Sequence, residues 1–114
     1  MKTFEEVKKE LLRRAKEAGA CENGYRMGLK AENKADLLKA ITKNWWWVLA
    51  SAKIIDAEYL KENFTEEELN ETGIYINGIH KTDTVAFALG SATVEAYDSA
   101  TVEAYGSATV KAYD

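Results

Sequence analysis

Cys21 and His80 are the one cysteine and the one histidine in this sequence of 114 residues, and they are its only candidates for a thiol nucleophile with an imidazole base. Such a pair works only when both side chains lie within hydrogen-bond reach, and neither residue stands in a nucleophile motif. A single histidine excludes a di-histidine metal site and a zinc finger, and no phosphate-binding or dinucleotide-binding glycine pattern occurs. We therefore predict no catalytic, cofactor-binding or metal-binding residue, no cofactor and no enzymatic activity.

Residues suited to recognition include three consecutive tryptophans, Trp45, Trp46 and Trp47. Neighbouring side chains on a helix point about 100° apart, so the three indoles cannot all face one core and at least one must be partly exposed. Two interpretations stay open. Trp45 and Trp46 form a binding platform for a partner, or the indoles cover the apolar end of the strand region that follows, which is the interpretation we favour.

A second candidate surface is acidic and consists of Glu66, Glu67 and Glu68. They follow Thr65, which forms a capping box with Glu68, and so they fall in the first turn of a predicted helix. The helix dipole favours negative charge there, and this explains the cluster without a metal or catalytic role. We keep the three carboxylates as candidates for a contact with a partner.

Helix signals fill residues 1–72, where capping residues precede apolar side chains at helical spacing. The predicted N-caps are Thr3, Asn33, Asp56 and Thr65. A further helix is favoured over residues 45–52. Residues 20–32, with the turn signal Asn23-Gly24, are predicted to be irregular.

Strand signals begin at Gly73. Isoleucines on either side of Asn77-Gly78 are typical of a hairpin. Three nearly identical octads follow, in which small apolar residues alternate with Thr, Glu or Lys, and Tyr, as in a strand with one buried face. Their sequences are SATVEAYD at 91–98, SATVEAYG at 99–106 and SATVKAYD at 107–114.

The outward positions of the octads include Tyr97, Tyr105 and Tyr113. They can form a ladder on one or more faces, and a cross-strand aromatic ladder stabilises a sheet without any ligand. Flat tyrosine-rich faces also bind proteins. Both interpretations stay open, and the three tyrosines are a candidate interaction surface.

Two architectures compete for the octads, an antiparallel meander and a β-solenoid. A two-residue turn at Asp98-Ser99 would place Glu95 opposite Val102, which mixes exposed and buried positions on one face. In a solenoid, equivalent positions stack in register and this conflict vanishes. If two octads made one coil, Glu95 would lie beside Lys111.

The predicted fold class is therefore α+β, with N-terminal helices capping a short C-terminal β-solenoid of octapeptide repeats. The predicted regions are a helical cap over residues 1–72 and strands over residues 73–114, in one cooperative unit. The last octad closes at Asp114, and an uncovered end would offer unpaired strand edges. We expect either a homodimer through this C-terminal solenoid end or a longer natural array.

The net charge of −4 divides unevenly along the chain. Residues 1–44 hold eleven Lys and Arg against seven Asp and Glu, whereas residues 45–114 hold four against twelve. The acidic balance argues against direct nucleic-acid binding. The asymmetry either marks a surface for a complementary partner or belongs to solvated helix faces.

Cellular location follows from what the sequence lacks. A lone cysteine cannot form an intramolecular disulfide, and acidic residues at positions 5 and 6 interrupt any signal peptide. The longest apolar stretch, residues 45–50, is too short to cross a membrane. We expect a cytoplasmic protein with no membrane partner.

The octads resemble those of small proteins from phages and mobile elements of gut bacteria. In those proteins a helical N-terminal part precedes octapeptide repeats of the form Asn/Ser-Ala-Thr-Val-x-Ala-Tyr-Gly. Two segments before the octads share the resemblance, Phe64-Thr65-Glu66-Glu67-Glu68-Leu69 and Gly73-Ile74-Tyr75-Ile76-Asn77. No activity is assigned to the family, so the resemblance implies an association with phages or mobile elements and does not imply a particular reaction.

The sequence favours a non-enzymatic protein–protein interaction or structural module, phage-associated, with a protein partner. The alternative is a small phage-encoded inhibitor of a host nucleic-acid-binding defence protein, a nuclease effector, acting through its acidic surface. Nucleic-acid or glycan binding through the Trp and Tyr residues is a third hypothesis, which the negative charge disfavours.

Overall fold

The computed structural model describes residues 1–113, and the chain forms two compact units that meet between Glu68 and Leu69 in the sequence. The architecture is α+β, with the helices N-terminal and the strands C-terminal. The helices are α1 Phe4–Glu17, α2 Glu22–Leu29, α3 Lys34–Lys43, a π-helix Trp46–Ser51, α4 Ala57–Asn63 and α5 Glu66–Glu71. The strands are β1 Ile74–Tyr75, β2 Ile79–Thr82, β3 Val85–Ala88, β4 Thr93–Tyr97, β5 Thr101–Ala104 and β6 Thr109–Tyr113.

The predicted helix caps are confirmed. The Thr3 hydroxyl accepts a hydrogen bond from the Glu6 amide at 3.3 Å, and the Glu6 carboxylate accepts one from the Thr3 amide at 3.0 Å. The side chains of Asn33 and Asp56 cap α3 and α4, and a second capping box precedes α5. Each cap gives a partner to an amide that the helix itself leaves unbonded.

The prediction that residues 20–32 are irregular is wrong, because α2 occupies most of them. The N-cap of α2 is Cys21, whose Sγ accepts a hydrogen bond from the Gly24 amide at 3.4 Å. Sequence-based rules expect Ser, Thr, Asp or Asn at the N-cap of a helix, and Cys is not among them. The sequence therefore contains no signal that a helix begins after Cys21.

Close packing explains the two glycines of α2. A Cβ added to Gly28 would lie 3.0 Å from Cδ2 of Leu12 on α1, and one added to Gly24 would lie 3.3 Å from Oδ1 of Asn44. These positions let α2 approach its neighbours more closely than larger side chains would allow. Packing thus outweighs the low helix propensity of glycine.

The helix predicted over residues 45–52 is present, but it is a π-helix. The amide of Ala52 donates to the carbonyl of Trp47, five residues earlier, at 2.8 Å. Val48 and Leu49 are buried. Such wide turns are uncommon and are found frequently at functional sites.

A charged cluster holds α1 within the helical unit. The Arg14 guanidinium donates to the Glu10 carboxylate at 2.6 Å and to the Ile54 carbonyl at 2.9 Å, and it lies 4.5 Å from the ring centre of Tyr59 on α4. Lys2 pairs with the same carboxylate, and its hydrogen bond is the main reason that the pKa of Glu10 lies below its usual range. The cluster therefore joins three separate segments of residues 1–68.

The six strands form two three-stranded sheets in which every pairing is parallel. The strand order is β1-β3-β5 in one sheet and β2-β4-β6 in the other, so successive strands alternate between sheets. Val85 pairs with Thr101 and Thr93 pairs with Thr109, which places partners two octads apart. Small buried residues in β3, in β4 and directly before β4 form the core of this unit: Ala86, Ala88, Ala92 and Val94.

The predicted β-solenoid is wrong. Residues 69–113 form two small, separate parallel sheets, and no solenoid is detected in them. A stack of this kind needs about three complete repeats, whereas the octads supply only β4, β5 and β6, and β1 has two residues. The prediction that the N-terminal helices cap a solenoid is therefore wrong as well.

The hairpin predicted around Asn77-Gly78 is also wrong. The strands on either side of this turn, β1 and β2, pair with β3 and β4 in different sheets. Gly78 has a φ of +77°, so the turn signal itself was correct. A turn dipeptide indicates a change of direction, and it does not determine which strand becomes the partner.

Replacing Gly73 with alanine should destabilise the fold more than the same change at Gly19. Both glycines have a φ of +83°, but a Cβ on Gly73 would lie 3.0 Å from the Val85 carbonyl oxygen, whereas Gly19 has nothing within 4 Å. The left-handed backbone costs about 1 kcal/mol for either alanine, and the contact should add about 1 kcal/mol or more at position 73. Denaturant unfolding of the two variants measures this difference. Equal costs would contradict a steric role for Val85.

Candidate functional site

Strands β4 and β6 place equivalent octad residues side by side. Their register pairs Thr with Thr, Val with Val, Ala with Ala and Tyr with Tyr, and it sets Glu95 against Lys111. The prediction that Glu95 lies beside Lys111 is therefore confirmed. Opposite charges at directly paired positions stabilise a sheet modestly.

Tyr97 and Tyr113 stack at the end of this ladder. Their ring centroids are 5.0 Å apart and the ring planes differ by 15°. The Tyr113 hydroxyl donates to the Glu95 carboxylate at 3.4 Å. Loss of solvation and the negative charge of Glu95 raise the pKa of Tyr113 above its usual value. The two tyrosines form the aromatic ladder that the octads predicted.

Tyr105 does not join this ladder, because the octad 99–106 forms β5 in the other sheet. Its amide donates to the Ala88 carbonyl at 2.9 Å, and its hydroxyl oxygen is enclosed. Burial, together with the negative charge of Glu103, raises the pKa of Tyr105 to about 12. The predicted set of three tyrosines thus separates into a stacked pair and one half-buried residue.

Both β5 and β6 are edge strands of their sheets over residues 1–113. All five residues of β6 are exposed, including Val110 at 40 % and Tyr113 at 43 % of their full accessible surface. The Thr109 amide donates inward, to the Ala92 carbonyl at 2.9 Å. Because backbone groups alternate along a strand, the N–H and C=O of Val110 and Ala112 point outward.

The tryptophan run divides into two roles. Trp46 is 65 % exposed, which confirms that at least one indole is partly exposed. Trp45 packs against it edge to face, with ring centroids 5.8 Å apart and planes at 88°. Trp47 instead lines a pocket within residues 1–68. The favoured interpretation, in which the indoles cover the end of a solenoid, loses its premise because the strands form two three-stranded parallel sheets.

The three glutamates of the acidic cluster, Glu66, Glu67 and Glu68, also differ in their contacts. The Glu68 carboxylate accepts a hydrogen bond from the Thr65 amide at 2.8 Å and so belongs to the helix cap. Glu66 and Glu67 are exposed in the first turn of α5, and among residues 1–113 neither has an ion-pair partner. Of the three predicted carboxylates, Glu66 and Glu67 are therefore the two that are exposed.

Cys21 and His80 lie in different units, and each makes a local structural contact. The thiol caps α2, as described above, and is exposed. The His80 ring stacks on Tyr75 with centroids 4.2 Å apart, and its Nε2–H donates to the Asn77 carbonyl at 2.7 Å. No cluster of three potential metal ligands occurs in the described residues, and no helix among them is long and apolar enough to cross a membrane.

The pocket within residues 1–68 was not predicted. It is an apolar cavity of about 270 Å³ bounded by α1, α2, α3 and the π-helix. Leu11, Leu37 and Ile41 contribute aliphatic walls, and Tyr25 and Trp47 contribute aromatic ones. No charged side chain lines it. A cavity arises from how helices meet, so the only sequence signal is the set of small residues along α1, α2 and α3.

No protein-family model, curated protein or solved structure matches this chain.

Raising the pH from about 10 to about 12 should reduce the stability of the protein through Tyr105. An unfolded tyrosine ionises near pH 10, whereas the folded pKa of Tyr105 is about 12. The folded state therefore holds this proton more tightly. The resulting contribution to stability is fully present below about pH 10 and is lost progressively as the pH rises toward about 12. Denaturant unfolding at about pH 9 and about pH 11 should show a smaller loss in Tyr105→Phe than in the wild type. Identical losses would contradict the raised pKa.

Proposed function

We propose that this protein is a non-enzymatic protein–protein interaction module that self-associates through the edge strands β5 and β6. The observation that carries the proposal is β6, an edge strand with all five residues exposed. Its outward backbone groups can form a further ladder, and such edges readily pair with another chain. Main-chain pairing of this kind is a recurrent mode of recognition.

The matching partner is a strand of the same octad, supplied by a second copy of the chain. Within one chain the segment TVEAY of β4 already pairs residue by residue with TVKAY of β6. The octad is therefore able to form a strand pair with another copy of itself. An isologous two-fold dimer uses the same surface on both copies.

Charge selects among the possible two-fold arrangements. Strand β5 carries Glu103 and β6 carries Lys111. Pairing β6 with β6 would set two lysines opposite each other, whereas pairing β5 with β6 antiparallel sets Glu103 opposite Lys111 of the partner subunit. Like charges at paired positions are destabilising and opposite charges stabilising. The proposed dimer therefore contains two equivalent β5–β6 pairings.

The cellular setting is part of the proposal. The resemblance of the octads to repeat proteins of phages supports a phage-associated role. The exposed free thiol of Cys21 suits a reducing compartment such as the cytoplasm.

Ala112→Pro should abolish self-association without unfolding the chain. Proline removes the outward N–H of Ala112 and is tolerated where an edge strand faces solvent. We expect light scattering after size exclusion to give twice the chain mass for the wild type at high concentration and the single-chain mass for the variant. Ala112→Ser keeps the N–H and serves as the control.

A charge exchange tests the arrangement separately. Glu103→Lys should weaken the dimer, because two lysines would then face each other across it. Adding Lys111→Glu together with Glu95→Lys should restore association, because opposite charges would face each other again both across the dimer and within the β4–β6 ladder. A wild-type protein that remains a monomer at high concentration would contradict the proposed function. Failure of the restoration alone would contradict only the β5–β6 pairing.

A second candidate function is inhibition of a host nucleic-acid-binding defence protein through acidic side chains. The observation that favours it is the exposure of Glu66 and Glu67 without an ion-pair partner in the described residues. Paired exposed carboxylates can imitate two neighbouring phosphates in charge.

If this second function is correct, Glu66→Gln with Glu67→Gln should abolish capture of a nuclease effector from nuclease-treated host lysate. Removing nucleic acid from the lysate excludes bridging, so that only direct contact is measured. Glu5→Gln, at an exposed position on α1, is the control and should leave capture unchanged. Capture that does not depend on Glu66 and Glu67 would contradict this function.

A further inference from the structure

The pocket in residues 1–68 has the size and chemistry of a small-molecule site. Its volume of about 270 Å³ exceeds the roughly 150 Å³ cavity that accepts benzene and lies just below the range typical of drug-sized ligands. An occupant of roughly ten non-hydrogen atoms, in one or two rings, fills such a space.

The residues that line the pocket favour a neutral ligand. The lining contains no charged side chain, and a charge placed there would lose its hydration without compensation. Leu11, Leu37, Ile41 and Val48 are all buried aliphatic residues of the wall. They favour an apolar ring system.

The pocket wall includes the Asn44 side chain, whose oxygen can accept a hydrogen bond from an occupant. The Asn44 side-chain amide donates to the Ala40 carbonyl at 2.8 Å and also contacts the Met27 sulfur at 3.5 Å. Its oxygen, Oδ1, has no donor among the described residues. It lies close to Gly24, where a Cβ would come within 3.3 Å of it. A glycine at this position therefore keeps the oxygen accessible to a hydroxyl or N–H of the occupant.

The π-helix is a second observation at the same place. Its residues Trp47 and Val48 form part of the wall. Wide helical turns are retained frequently at functional sites, and this one directs an aromatic ring toward the cavity.

We propose that this pocket binds a neutral, largely apolar molecule of one or two rings that donates one hydrogen bond to Asn44. The site lies wholly within residues 1–68 and so is independent of the proposed self-association. Ala112→Pro, which removes the dimer, should leave binding unchanged.

The test uses 1-naphthol as the probe and calorimetric titration of the full chain. We expect saturable binding of one molecule per chain, and binding of the charged 1-naphthalenesulfonate weaker by about tenfold or more. Amide chemical-shift changes should concentrate on pocket residues, and alkylation of Cys21, which lines the pocket, should slow when 1-naphthol is bound.

Two matched variants make the test specific. Ala15→Leu fills the pocket from α1 and should weaken 1-naphthol binding by about tenfold or more. Ala35→Leu, at an exposed position on α3 outside the lining, should leave it unchanged. No saturable binding, equal affinity in the two variants, or chemical-shift changes confined to residues 69–113 would each overturn the proposal.

Discussion

The parallel pairing of strands two octads apart is the constraint on which residues 69–113 depend. Because successive strands alternate between two sheets, a residue meets its equivalent in the next octad but one and never in the adjacent octad. This register brings Tyr97 to Tyr113 and Glu95 to Lys111. It separates Tyr105 from both other octad tyrosines. The side-chain chemistry of the repeat is thus set by backbone hydrogen bonding.

Local signals in the sequence predicted local structure well. The capping side chains at Thr3, Asn33 and Asp56 act within a turn of helix, and each was identified from the sequence. The alternation within the octads likewise predicted strands, and the hypothesis that two octads make one coil placed Glu95 beside Lys111. In all these cases the determining contacts lie close in sequence or repeat along it.

Features that depend on contacts between residues distant in sequence were not predicted. The pair Asn23-Gly24 was interpreted as a turn signal, because nothing near it in the sequence shows that Gly24 packs against Asn44. The π-helix contributes Trp47 and Val48 to the wall of the pocket, and helical periodicity gives no signal for either feature. The solenoid prediction extended a correct register to an architecture that needs more repeats than three octads provide.

The register also bears on how the octad array can change in length. Removing or adding two octads together would keep every remaining strand in its own sheet and preserve the stacking of equivalent residues. A change of one octad would move each later strand to the opposite sheet, and deletion of residues 99–106 would set Lys111 beside Phe87 instead of Glu95. Insertions and deletions that retain the ladder should therefore occur in steps of two octads, although the visible unit of the sequence is one.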